Sequence, residues 1–278
     1  MRPSLPSIPF GRYDISRLII GGNPFRGYSH LSETLDREMA EYYTADRVVE
    51  TLFDAERAGI TAMVSRGDRI VMGWVDEYRN RGGAMRWIVQ TATEWGDIPD
   101  NIREIAKHHP IAVYHHGSYT DELWKAGRID EIQEYLKIIR DLGLQVGICS
   151  HIPEVLAYCE EHGWDIDFYM ACCYNISRVE RQSLLAGGKR VEEPFIEEDR
   201  DRMCRFVCET DKTCLLFKIL AAGRKCGSSE EVREAFRFAF AHIKPNDAVV
   251  VGVFPKYKDQ ISENVEIVRE IHSGQDQP

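Results

Sequence analysis

Eight short apolar runs recur along the chain, and the residues between them fall into a helical period. The runs are residues 18–20, 61–64, 87–91, 111–115, 145–149, 168–173, 213–219 and 248–251. Helices are expected over 46–58, 74–80, 98–107, 130–142, from Pro153 onward, 197–209, 229–241 and 260–271. Thr44 and Gly59 supply start and stop signals for the first, and Gly143 ends the fourth. Strict alternation implies a parallel sheet with helices packed on it. Eight such units over about 250 residues are the signature of a closed (β/α)8 TIM barrel. The alternative is an open doubly wound sheet. Against it, the first strand runs into GGNPF, with neither a GxGxxG nor a Walker loop.

The expectation is one domain, residues 1–278, without linker or low-complexity segment. One long irregular stretch, residues 176–194 (ISRVERQSLLAGGKRVEEP), would be a βα loop on the active face. Acidic residues outnumber basic ones 45 to 35, and no Lys/Arg block occurs, so no nucleic-acid footprint is expected. An acidic surface argues against anionic membranes, and the apolar runs are strand-length. The opening MRPSLPSIPF has no signal-peptide core, so a cytoplasmic protein acting on a small molecule is expected. The eight cysteines then read as thiols. Cys149, Cys172, Cys173 and Cys214 look like small core residues, Cys204 and Cys208 share a helix face, and no CxxC pair exists.

The stretch AVYHHGS, residues 112–118, raises the question of function. Successive strand residues point to opposite faces, so only one of His115 and His116 can face a given side. In a barrel the active site is built at the C-terminal strand ends. That face would collect Asn23, Asp68, Glu94, His115 or His116, His151, Asn175 and Lys218. An ammonium such as Lys218 near the end of a buried strand needs a partner or a task. It is either a base or electrostatic stabiliser, or an ion-pair partner of Asp68 or Glu94. Arg224, in the turn that follows, could bind a carboxylate or phosphate or be a solvated surface residue. A divalent metal held by His115 or His116, His151 and a carboxylate is a further option.

The opening PFGRYDISRLIIGGNPF, residues 9–25, resembles the N-terminal hairpin and first strand of the aldo-keto reductase superfamily. ERAGITAM, AVYHHG, QVGICS, Tyr174-Asn175 and VVVGVFPKYKDQISENV resemble, in order, later strands and the last helix of that family. The resemblance implies a hairpin over residues 1–17 capping a TIM barrel, and carbonyl reduction with NADPH. It implies that Ser150, Glu263 and Asn264 contact the cofactor, and that a strand-end histidine orients the substrate carbonyl. Six departures bear on the chemistry. Val64 and Gln90 stand where the family carries its catalytic aspartate and lysine, the tyrosine position falls near Arg69, and His151 replaces an asparagine. Ala171 and Gln260 replace a glutamine and an arginine. NADP(H) binding is therefore expected to be weak or absent.

Three functions stay open. The first is a barrel enzyme acting on a sugar- or carbonyl-type molecule without the standard hydride transfer, using His115 or His116, His151, Asp68 and Lys218. The second is an NADP(H)-dependent oxidoreductase with Tyr114, Tyr119 or Tyr174 as proton donor. The third is a non-catalytic binding or regulatory protein.

Overall fold

The structure, a computed structural model, describes residues 4–180, 188 and 191–274. An antiparallel hairpin, β1 (Ser7–Phe10) and β2 (Tyr13–Ser16), precedes the barrel. The chain then runs β3 (Leu18–Gly21), α1 (Glu33–Tyr42), α2 (Ala45–Ala58), β4 (Ala62–Arg66), α3 (Arg69–Asn80) and β5 (Arg86–Gln90). Next come α4 (Ile98–Lys107), β6 (Ala112–His115), α5 (Gly117–Lys125), α6 (Ile132–Asp141), β7 (Gln145–Ser150), α7 (Pro153–Glu161) and β8 (Phe168–Cys172). The last elements are α8 (Glu198–Glu209), β9 (Thr213–Phe217), α9 (Ser229–Ala241), β10 (Ala248–Gly252) and α10 (Gln260–Ser273). Strands β3 to β10 form a closed parallel barrel in chain order, with β10 pairing back onto β3. The fold is thus a (β/α)8 TIM barrel with an N-terminal hairpin, and the open-sheet alternative is excluded.

The side-chain period of two divides each strand between two cores. Ile19, Ala62, Ile88, Ala112, Phe168, Leu215 and Ala248 fill the barrel interior. Val113, Val146, Ile148, Tyr169 and Val249 pack outward against the helices. Burying one such large side chain stabilises the fold by about 1.5–3 kcal/mol. The hairpin closes the N-terminal end. Ile8, Phe10 and Ile15 join the interior cluster, the Phe10 and Phe168 rings meet edge-on at 5.0 Å, and Gln145 donates to the Phe10 carbonyl at 3.2 Å. The open end of the barrel is therefore the opposite one, where the βα loops are.

Helix starts follow local chemistry. Thr44, Asp68, Asp97 and Ser228 each accept a backbone N–H at the head of α2, α3, α4 and α9. Because Asp68 caps it, α3 begins at Arg69 and not at residue 74. Two helices were not expected from the sequence. α1 buries only Met39, so its apolar period is faint, and α5 opens on Gly117-Ser118, which reads as a turn. Part of the long 176–194 stretch, residues 181–187, 189 and 190, lies outside the described residues. Among the described residues no helix is long and apolar enough to cross a membrane.

Candidate active site

A cavity of about 600 Å³ opens at the C-terminal mouth of the barrel, the size of a small-molecule or cofactor site. Its floor and wall carry Arg66 from β4, Gln90 from β5, Tyr114 from β6, Cys149 from β7, Met170 from β8, and Phe217-Lys218 at the end of β9. Backbone forms the facing side, at Gly21, Gly22 and Gly252. A side chain at Gly252 would meet Pro24 at 2.8 Å, so the close approach of the Asn23-Pro24 turn to β10 requires glycine there. The cavity continues past Cys226–Ser229, at the head of α9, to Lys258, Gln260, Glu263 and Asn264 at the head of α10.

Tyr114 answers the question posed by AVYHHGS: the residue before the two histidines faces in. Its phenol donates to Gln90 Oε1 at 3.3 Å. Burial pushes it well above the usual tyrosine range, the neighbouring Cys149 adds to this, and Arg66 opposes it. Arg66 forms a two-point pair with Glu94, with Nε to Oε1 at 2.6 Å, and its side chain is only 10% exposed. Burial works against the charge on Glu94, yet the hydrogen bonds and charge of Arg66 hold it below the usual carboxylate range.

Lys218 reaches the cavity from a left-handed backbone, φ +61°, and Ala221 and Ala222 follow at +47° and +52°. Non-glycine residues adopt this region at a cost of about 1–2 kcal/mol each, and runs of them cluster at functional sites.

Behind the wall, at the β6–β7 side, lies a polar network. His151 Nδ1 is 2.7 Å from Asp121 Oδ2, and the two side chains are 5% and 2% exposed. Ser150 donates to the same carboxylate at 2.5 Å, as does Ser177 from the turn after β8. The His151 ring lies edge-on to Phe217, centroids 5.8 Å apart. A methyl added at Gly117 would fall 2.6 Å from Cys149 Sγ and 3.2 Å from His151 Cε1. The thiol and the imidazole edge therefore border one small space over the first residue of α5.

Among the residues expected to form the site, Asn23, Lys218, Glu263 and Asn264 line the cavity. Others do not. His115 turns outward, with Nδ1 on Thr120 Oγ1 at 2.8 Å and its ring between Tyr119 and Tyr135. Of the pair expected to offer one site-facing ring, His115 is turned away by the strand period, which gives the inner position to Tyr114. His116 sits at the N-cap of α5, its N–H on Thr91 Oγ1 at 3.1 Å. Asp68 caps α3 and pairs with Arg26 at 3.2 Å, so neither it nor Glu94 pairs with Lys218 in the way first expected. Ser150 is turned to Asp121, Asn175 accepts from Ser177 N–H at 3.2 Å, and Arg224 stacks over Phe195 at 4.0 Å. Among the described residues no group of three or more His, Cys, Asp or Glu side chains is placed to hold a metal ion. The carboxylate nearest His151 is Asp121, already engaged by Ser150 and Ser177.

Sequence reading passed over Asp121, Arg66 and the position of Cys149. The signal for Cys149 was present: Gly147, Cys149 and His151 share a period of two along β7 and beyond. Asp121 carried none, because the helix that places it was not legible.

No protein-family model matches the sequence, and no curated protein does. Solved structures share the fold. Gox0644 in its apo form matches with a TM-score of 0.58 at 11% identity, covering 99% of this chain and 95% of that one. A mutant of it in complex with NADPH matches at 0.55 and 10%, over 95% and 88%. An aldo/keto reductase from Brucella melitensis matches at 0.56 and 11%, over 95% and 93%. Xanthomonas albilineans dihydropteroate synthase matches equally well, at 0.56 and 11%, over 99% of both chains. At these identities the likeness defines the class, a (β/α)8 barrel, and enzymes of unlike chemistry share it.

Proposed function

We propose that the chain is an oxidoreductase of the aldo-keto reductase type, acting on a small polar carbonyl or sugar-derived compound with a nicotinamide dinucleotide. Tyr114 takes the proton donor's place. The observation that carries this reading is the reach of the cavity. One continuous space joins Tyr114, Arg66 and Lys218 at the mouth to Asn264, Glu263 and Lys258 at the head of α10. Such a shape suits a long ligand with a reacting end and an anchoring end.

The residues present fit a dinucleotide in size and donor chemistry. Asn264 and Gln260 offer amides, Ser228 and Ser229 hydroxyls at a helix head, and Lys218 and Lys258 positive charge for phosphates. Asn264 and Glu263 are the positions at which the sequence resembles an adenine site. A Gox0644 mutant is known in complex with NADPH, and the Brucella melitensis reductase shares the fold. This reading reverses the expectation of weak binding that Val64, Gln90 and His151 suggested.

A bound nicotinamide would supply hydride. The chain's own residues do the rest. Of the three tyrosines considered as donors, Tyr114 lines the cavity, whereas Tyr119 packs on His115 and Tyr174 packs on Phe195. Burial keeps the Tyr114 phenol protonated at neutral pH, so it arrives loaded as a donor to a developing alkoxide. Gln90 orients the hydroxyl, and Arg66 favours phenolate as it forms. Lys218 adds positive potential where negative charge appears.

Titrating NADPH against the purified protein, with its fluorescence as signal, tests the reading. Saturable binding that weakens at least tenfold in Asn264→Ala is expected. No saturation up to about 1 mM, the weak end of useful affinities, would remove the dinucleotide from the account.

A further inference from the structure

We propose that the substrate carries a carboxylate besides its carbonyl, and that Arg66 Nη1 and the Tyr28 hydroxyl bind it. The proposal rests on the reductase reading only for the carbonyl at Tyr114. The carboxylate site itself needs no dinucleotide.

Arg66, Gln90 and Tyr114 stand in one row across three neighbouring strands. Arg66 is in register with Gln90 across β4 and β5, and Gln90 with Tyr114 across β5 and β6. All three line the cavity. Two strand spacings separate the Arg66 and Tyr114 backbones by about 10 Å, and both side chains turn inward. A short carbon chain can therefore join a carbonyl at Tyr114 to a second group at Arg66.

That second group is defined by what Arg66 has left to offer. A guanidinium is a rigid fork of N–H donors on three nitrogens. Nε and Nη2 hold Glu94, and Nη2 also reaches Thr93 Oγ1 at 3.2 Å. Among the described residues Nη1 has no hydrogen-bond partner, and it is not sealed in the core. The side chain is 10% exposed and borders the cavity, so its remaining donors are offered to that space. Glu94 and Asp68, the carboxylates paired with Arg66 and Arg26, do not line the cavity. The Arg66–Glu94 pair thus turns its base inward and its acid away. Lys218 adds positive potential on the same wall.

Tyr28, from the turn after β3, also lines the cavity. Burial pushes its phenol up, against the opposing charges of Arg26 and Arg66, so it is a protonated donor at neutral pH. Among the described residues its hydroxyl has no hydrogen-bond partner. An open guanidinium nitrogen and a hydroxyl match the two oxygens of a carboxylate. A phosphate dianion would bring a second negative charge toward Glu94, so the monoanion is favoured.

The test is calorimetric titration of the full chain, without dinucleotide, with two acids and their neutral amides: pyruvate against pyruvamide, and levulinate against levulinamide. In at least one pair the acid is expected to bind at least about tenfold more tightly, the scale of one charge-assisted hydrogen bond. Tyr28→Phe leaves the Arg66–Glu94 pair in place and should reduce that preference at least about threefold. Arg66→Met with Glu94→Gln removes both charges of the pair and should abolish the preference while amide binding persists. Equal affinity within both pairs in the unmodified chain, or no binding of either acid up to about 10 mM, overturns the proposal even if the variants misfold. So does a preference that survives in a folded double variant. NADPH affinity that falls in the double variant, with no acid preference in the unmodified chain, would assign Arg66 to a cofactor phosphate instead. Acid preference in a chain that binds no NADPH would uphold the carboxylate site and remove the reductase reading, so the two failures are told apart.

Discussion

Tyr114 and His115 are neighbours on β6 and stand on opposite sides of the barrel wall. The phenol enters the cavity toward Gln90, and the imidazole is clasped by Thr120, Tyr119 and Tyr135 outside it. Adjacent residues thus sit in separate environments, and substitution separates them.

Tyr114→Phe deletes one hydroxyl inside the cavity. Turnover should fall at least about a hundredfold, the usual scale for one acid/base group. NADPH affinity should stay within about threefold, and the melting temperature should not drop. Steady-state kinetics beside the fluorescence titration would show it. Equal loss of binding and turnover would point to a structural phenol.

His115→Phe should alter acid stability and not activity. Burial pushes the folded imidazole down to about 3, against about 6.5 when unfolded. Stability is whole above pH 6.5. Below it the unfolded chain takes up a proton that the folded chain refuses, so stability falls by up to about 1.4 kcal/mol per pH unit toward pH 3. Urea unfolding between pH 7 and pH 4 should show a shallower decline in the variant. Parallel declines would mean that the ring is reached by water.

Lys218→Met keeps most of the stem and removes the charge. Activity should fall at least about a hundredfold, while the melting temperature holds or rises, since functional charge is often kept at a cost in stability. Unchanged activity with lower stability would make Lys218 an ion-pair residue.

Arg66→Met strands Glu94. Breaking a largely buried pair costs about 3 kcal/mol or more, because the remaining charge has lost its partner. Arg66→Met with Glu94→Gln should recover most of that. The pair's own contribution is present above the unfolded carboxylate value and is lost as pH falls through the lowered folded value. A double-mutant cycle in chemical denaturation measures the coupling. Additive losses would show that the two side chains do not cooperate.

The barrel was legible because each strand is an apolar run and each helix has a period, and neither depends on distant contacts. Asn23 and Lys218 could be placed at the mouth for the same reason, since a strand end locates them, whereas Glu263 and Asn264 came from the resemblance of the last helix. Which of His115 and His116 faces the site was left open, and the inward residue that lines the cavity is Tyr114. The apolar run shows where β6 lies, but its phase is fixed by packing against Phe168 and Cys149. Asp121 was invisible because α5 starts on residues that favour turns, and its partner His151 is thirty places away. Arg66 and Glu94 could be read as charges, but their pairing is a fact of three dimensions.

The mouth is unevenly open to change. At the seam of β10 and β3 the cavity is bounded by main chain at Gly21, Gly22 and Gly252, and a side chain added at Gly252 collides with Pro24. Across the barrel stand Tyr114 on β6, four strands from β10 by either route, and Cys149 on β7, four from β3 by either route. One wall is therefore a fixed mould and the other an adjustable die. A lineage of this chain, or an engineer, meets fewer backbone limits on the β4 to β9 arc than at Gly21, Gly22 and Gly252. Variants gathered by selection for a new substrate should accumulate on that arc and leave the seam untouched.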